Sequence, residues 1–240
     1  MGAKKHTLCF LSFVFAFLVV LSAEAEADLF GFAALSNNSG QSGAMAAQLS
    51  VDVTEYATNQ VLFTFRNNGV EPYKVDEPLA GIVTRVFFDD GELLGISQII
   101  ESPPAVDFRN PILGGENLPE GANLDPPFET TVGFSAGFSN GRGGVAKGVN
   151  PGEALGIVFD LKDSRGLDDV IAAIHRGMTV TDPPWLQDDP AYVTLRIGLQ
   201  VQNLGEDGEF SDAFVMVPAP GALLLGGIGL GIAFCRCRRH

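Results

Sequence analysis

Between Val193 and Val201 the chain sets Val193, Leu195, Ile197, Leu199 and Val201 on alternate positions, with Thr194, Arg196, Gly198 and Gln200 between them. A period of two fits a β-strand with one buried and one wet face, and it fits no helix. Gln48 to Val53 and Gln60 to Arg66 alternate in the same way, and Ile82 to Phe88, Leu93 to Ile100, Phe128 to Phe134 and Ala154 to Leu161 are further short apolar runs of strand length. Turn chemistry separates them, at Asn67-Asn68-Gly69, Asp89-Asp90-Gly91, Gly114-Gly115, Asn140-Gly141, Asn150-Pro151-Gly152 and Glu206-Asp207-Gly208. Only Leu167 to Arg176 has helical spacing: Leu167, Val170, Ile171 and Ile174 share a face, Asp168 and Asp169 occupy the first turn, and Gly177 is the expected stop. The proline-rich stretches Ser102 to Pro127 and Val180 to Pro190 read as long loops over the sheets. Leu29 to Ala47 reads as a first strand or a flexible lead-in. The expected fold is mainly β, a single two-sheet β-sandwich of jelly-roll type with one short helix.

The two ends are of another kind. Lys4, Lys5 and His6 precede an apolar stretch from Thr7 to Leu21, and small residues between Ser22 and Ala27 suit a signal peptidase cutting after Ala25 or Ala27. Residues 1–27 are therefore the expected signal peptide, and 28–216 the expected β-sandwich domain; an uncleaved N-terminal anchor is the alternative. At the other end Val217-Pro218-Ala219-Pro220-Gly221 leads into an apolar segment, 222–234, and a tail, 235–240, carrying Arg236, Arg238 and Arg239. Prolines keep the backbone extended, the apolar segment suits hydrocarbon, and the arginines stay on the cytoplasmic side. As a helix the 13 residues of 222–234 span about 20 Å, short for a permanent anchor in a hydrocarbon core of about 30 Å.

Motif, apolar helix and terminal arginines in that order resemble the PEP-CTERM sorting signal of exported bacterial proteins, which a membrane-embedded exosortase reads. Ala219 stands where the commonest form has Glu. The body is similar to the globular part of some small PEP-CTERM proteins at Phe63-Thr64-Phe65-Arg66-Asn67-Asn68-Gly69, at Val86-Phe87-Phe88-Asp89-Asp90-Gly91 with Leu93-Leu94-Gly95, at Val149-Asn150-Pro151-Gly152-Glu153, and from Leu195 to Gln202 leading to Ser211-Asp212-Ala213-Phe214-Val215. The resemblance implies sorting through the inner membrane to the cell envelope, and no particular activity comes with it. A plain single-pass anchor is the alternative reading of the tail.

Between the two ends, residues 28–217 hold 27 of the 29 acidic and 10 of the 15 basic side chains, a formal charge of −17. Such a surface repels phosphate backbones, which argues against a nucleic-acid partner. Cys9, Cys235 and Cys237 all lie in the terminal segments, so the mature body has no disulfide, no thiol nucleophile and no cysteine-based zinc site.

Candidate chemistry is sparse. Gly133-Phe134-Ser135-Ala136-Gly137 has the spacing of a nucleophile elbow, with Asp160 or Asp163 and then His175 in hydrolase order, yet the glycine-rich sequence after it does not form the required helix. Asp89, Asp90 and Glu92 are the candidate calcium ligands, and Glu206-Asp207-Gly208-Glu209 offers a second set; neither has the spacing of an EF-hand. Trp185, with Tyr192 after it, is the candidate carbohydrate contact. No cofactor is expected. The expected function is that of a non-enzymatic exported protein, handled by the translocon, signal peptidase and an exosortase-like membrane protease. It is transiently anchored in the inner membrane and then released to the envelope, surface or exopolysaccharide matrix. The alternatives are a carbohydrate-binding or carbohydrate-active module, which makes polysaccharide a candidate partner, and a membrane-anchored periplasmic interaction domain.

Overall fold

The computed structural model describes residues 28–90, 93–101, 106–109, 116–137, 147–179 and 193–218. Ten strands account for just under half of them: β1 (Asp28–Ala34), β2 (Leu49–Ala57), β3 (Gln60–Asn67), β4 (Ile82–Asp89), β5 (Leu94–Glu101), β6 (Phe108–Arg109), β7 (Val132–Ala136), β8 (Ala154–Leu161), β9 (Arg196–Leu204) and β10 (Phe210–Pro218). The ladder runs β5-β8-β3-β2-β1-β10-β9-β4-β7-β6. Each neighbouring pair is antiparallel.

The sheet curls because one face is lined with aromatic and branched side chains that have nowhere else to go. Phe88 on β4 meets Phe159 on β8 edge-to-face at 4.9 Å between ring centres, and Phe63 on β3 at 5.3 Å. Phe134 on β7 closes the ring of contacts, 5.9 Å from Phe159. Strands six places apart in the ladder thus share one core, and the two edges come together where the Glu101 carboxylate accepts the N–H of Phe108 at 2.8 Å. Val51, Val53, Leu155, Ile157, Leu195, Ile197 and Val201 complete the apolar interior.

Among the described residues two α-helices join this scaffold, α1 (Ser42–Ala46) and α2 (Leu167–Met178). In α2 the predicted apolar stripe is the buried one: Val170, Ala173 and Ile174 enter the core, with Leu167 and Ile171 packed beside them. The Asp169 carboxylate accepts the Gly166 N–H at 2.9 Å and so satisfies an orphan donor of the first turn. Gly177 does not stop the helix, which runs on to Met178. Its role is proximity, since a Cβ there would run into the Leu195 carbonyl oxygen.

Four further expectations need correction. Leu29 to Ala47 is neither all strand nor all lead-in, because it contains β1 and α1. The Ser102 to Pro127 loop contains the two-residue strand β6 and a 3-10 turn at Gly121–Asn123. The outer face of β9 is not wet: Gly198 lies under Leu118, which with Phe87, Phe128 and Ala213 forms a second apolar cluster roofed by residues 116–128. Val217 and Pro218, assigned from sequence to the exposed motif, are the last two residues of β10.

Asn67 is not a turn residue either. It is fully buried at the end of β3, where its Nδ2 donates to the carbonyls of Gly81 at 2.8 Å and Val149 at 2.9 Å. Its Oδ1 accepts from Gln48 Nε2 at 2.7 Å, and Gln48 also donates to the Leu79 carbonyl at 3.1 Å and accepts the Leu79 N–H at 2.9 Å. Two buried amides thereby pin the chain leading to β4 against β2 and β3.

Candidate functional site

The sequence-predicted site residues divide into those within the body and those at its ends. Ser135 sits inside β7, paired with Arg85 on β4 and Arg109 on β6. It occupies the middle of a strand and not the sharp strand-to-helix turn that exposes a nucleophile. His175 lies on α2, exposed, with its ring edge-on to Phe30 at 5.8 Å. Asp160 accepts from Gln60 Nε2 at 2.7 Å, and Asp163 stands in the turn Lys162–Ser164 before α2.

Asp89 and Asp90 are each held by protein donors. The Asp89 carboxylate pairs with Arg196, both largely buried, and accepts the Glu129 N–H at 3.1 Å. Arg196 also donates to the carbonyls of Pro126 and Pro127, and its guanidinium lies 5.3 Å from the centre of the Phe128 ring. This arginine, a wet-face residue in the alternating pattern, clamps the 116–130 segment onto β4 and β9. The Asp90 carboxylate is buried, accepting the Leu94 N–H at 2.7 Å through Oδ2 and the Thr131 hydroxyl through Oδ1. Glu92 lies outside the described residues. Among the described residues no group of three or more His, Cys, Asp and Glu gathers into a metal-binding arrangement.

Asp212 is the carboxylate that the sequence gives no reason to single out. It is buried in β10, and it holds the stretch after β1 by accepting from Ser36 Oγ at 2.9 Å, the Asn38 N–H at 2.6 Å, the Ser39 N–H at 3.3 Å and the Ser39 hydroxyl. Burial alone pushes this carboxyl up, but the hydrogen bonds from Ser39, Asn38 and Ser36 outweigh it and leave the group below its ordinary value. A folded-state value below the unfolded one stabilises the fold above about pH 4, and that contribution is lost as pH falls through the folded value. Asp212→Asn should therefore lower stability by about 2 kcal/mol at pH 7, as hydrogen bonds to a charged acceptor are lost. The gap to wild type should narrow on acidification below about pH 4, measured by urea denaturation at several pH values. An equal gap at pH 3 and pH 7 would mean that the charge is not what Asp212 contributes.

The end residues converge. β1 pairs with β10 so that Gly31 faces Val217 and Phe30 faces Pro218. Tyr73, reaching over from the β3–β4 connection, lies on Gly31 so closely that a Cβ there would strike its ring and hydroxyl. Only glycine leaves room for it. The Tyr73 hydroxyl is buried and has no hydrogen-bond partner among the described residues, and that burial pushes the phenol up. Gly31, Phe32, Gly43, Ala46, Ala47, Tyr73, Val217 and Pro218 line a cleft of about 170 Å³ at this junction.

Ala219, Pro220 and Gly221, the apolar segment 222–234, Arg236, Arg238 and Arg239, the signal segment 1–27, and Trp185 and Tyr192 all lie outside the described residues. Among the described residues no helix is long and apolar enough to cross a membrane. No protein-family model, no curated protein and no solved structure matches the chain.

Proposed function

We propose that the chain is a non-enzymatic exported protein, sorted by a PEP-CTERM-like tail to the cell envelope or an exopolysaccharide matrix. Its β body, read as the two facing layers of a jelly-roll-like sandwich, is the delivered part. The observation that carries this reading is the order of parts in the sequence, Val217-Pro218-Ala219-Pro220-Gly221, then the apolar segment 222–234, then Arg236, Arg238 and Arg239. In the sheet β1 and β10 pair, with Phe30 opposite Pro218 and Gly31 opposite Val217, so the parts of the body that lead to the two expected labels lie side by side. In this reading the translocon and signal peptidase handle the N-terminus and an exosortase-like membrane protease the tail. The acidic body makes nucleic acid an improbable partner.

Intact mass spectrometry of the exported protein should find Glu26 or Asp28 as the first residue. Replacing Arg236, Arg238 and Arg239 with serine should leave a larger, membrane-bound precursor, detected by immunoblot of the membrane fraction. A wild-type protein that keeps its full C-terminus at steady state in its native host would make the tail a simple anchor instead.

A further inference from the structure

We infer that the outer face of β2, β3, β8 and β5 is a binding surface for a neutral polysaccharide, with the Tyr56 ring as its platform. That assignment rests on the reading above for the delivery of the body to a polysaccharide matrix, and on nothing in the tail. The face is defined by register. Thr54, Leu62, Val158 and Gln98 stand directly opposite one another on the four strands, in one row. Ile100 stands opposite Gly156 in the row on one side, and Gln60 opposite Asp160 in the row on the other. These positions face outward, since they alternate with Val61, Phe63, Ile157 and Phe159 of the core.

Tyr56 sits at the bulge near the end of β2, and its hydroxyl accepts from Gln98 Nε2 at 3.0 Å. β2 and β5 are three places apart in the ladder, about 14 Å along the sheet. The two side chains can therefore meet only by lying along the surface, across β3 and β8. The valine on that path is covered: Val158 is 0% exposed although it faces outward, and it belongs to neither apolar cluster. One side of the Tyr56 ring thus rests on the sheet, and with the residue 47% exposed the other side is open. Tyr56 and Ile100 are two of the three large apolar side chains exposed among the described residues, and they share this face.

A pyranose ring presents C–H groups on its faces and hydroxyls on its rim. The first suit an open aromatic ring, and the second suit planar amides and carboxylates. Both kinds of polar group flank the platform here, Gln98 at one edge and the exposed pair of Gln60 and Asp160, joined at 2.7 Å. Because the tyrosine is already held in place, little side-chain freedom is lost on binding. Charge selects among polymers. No cation stands in these rows, the Asp52 carboxylate beside them is paired with Arg66 at 2.8 Å, and the body carries a formal charge of −17. A polyanion is repelled by such a body, and a neutral chain is not. Two exposed apolar side chains supply little of the buried core that a stable protein interface needs.

Affinity electrophoresis of the protein isolated from its native host tests this, in gels containing a β-glucan, a dextran, a mannan or a galactan, with a polyuronate gel as the anionic control. Retardation by at least one neutral polymer and none by the polyuronate is the expected result. Tyr56→Ala should weaken that binding about tenfold or more, as for the central aromatic anchor of an interface. Tyr56→Phe keeps the ring and loses its tie to Gln98, so it should weaken binding less. Asp160→Ala, on the exposed rim, should weaken it about fivefold through a lost hydrogen bond, and this reading does not depend on Tyr56→Ala folding. The surface is overturned by a protein that no neutral polymer retards, by retardation in the polyuronate gel, or by folded Tyr56→Ala and Asp160→Ala variants that bind as wild type does. Loss of binding in Trp185→Ala with Tyr56→Ala unchanged also overturns it, as does light scattering that shows a dimer dissociated by Tyr56→Ala. A mature protein ending at His240 defeats the sorting reading and leaves this surface standing.

Discussion

Phe88→Ala should unfold this protein more readily than any other single truncation in the core, with a loss of about 5 kcal/mol and a fall in Tm of about 15 °C for a domain of this size. The ring of Phe88 is fully buried and touches those of Phe63, Phe65, Phe134 and Phe159 edge-to-face. Each such pair adds about 0.5–1.5 kcal/mol beyond the area it buries. Because Phe88 joins β3 and β8 on one flank of the sheet to β7 on the other, its loss also removes what draws the flanks together. Calorimetry of the protein measures the effect. A fall of only a few degrees would mean that the core repacks around the gap and that the aromatic cluster is not what holds the curl.

Asn67→Ala should cost about 4 kcal/mol, nearly as much as the loss of a core ring and for a different reason. Truncation leaves the carbonyls of Gly81 and Val149 and the Gln48 amide each short of a partner in a dry place. A buried group left wholly unsatisfied costs about 1–3 kcal/mol; the Val149 carbonyl still accepts the Val83 N–H at 3.1 Å and the Gln48 amide still donates to the Leu79 carbonyl, so those two lose only part of it and the total falls below the sum. Guanidinium denaturation should show a lower midpoint with an unchanged slope, the sign of lost stability in an unaltered fold. Asn67→Asp is the sharper variant, because a carboxylate offers nothing to donate to the two carbonyls and carries an unpaired charge into the interior. If Asn67→Asp is as stable as wild type at neutral pH, this network does not fix the chain between β3 and β4.

The strands were legible where side chains alternate, as in β3 and β9, or where an apolar run has strand length, as in β4; the run Phe128 to Phe134 was the exception, since β7 begins only at Val132. β8 has the bounds read from its sequence, and β3 and β4 each extend one residue further. The helix was legible for the same kind of reason, since Leu167, Val170, Ile171 and Ile174 repeat at helical spacing. What could not be read is what depends on partners distant in sequence. Asn67 looks like a turn residue until Gly81 and Val149 are placed beside it. Arg196 looks solvent-facing until Asp89, Pro126 and Pro127 surround it. Asp212 is one acidic residue among many until Ser36 and Ser39 fold back onto it. The end of β10 was misplaced because Val-Pro-Ala-Pro has the composition of a linker, and only its pairing with β1 shows that the first half is strand. Gly31 carries no signal of its own, since the need for glycine comes from Tyr73.

The place of β1 in the ladder governs when the body can be completed. On the proposed export route, the first strand to leave the pore would be β1, flanked in the ladder by β2, which follows it closely, and by β10, the last strand to emerge. Seams between strands so remote in sequence close slowly, because the entropy of the long loop must be lost before any contact compensates for it. A chain threaded N-terminus first therefore cannot finish its interior sheet until nearly its whole length has crossed. The last seam to close is then the one between β1 and β10, which joins the first and last strands of the body.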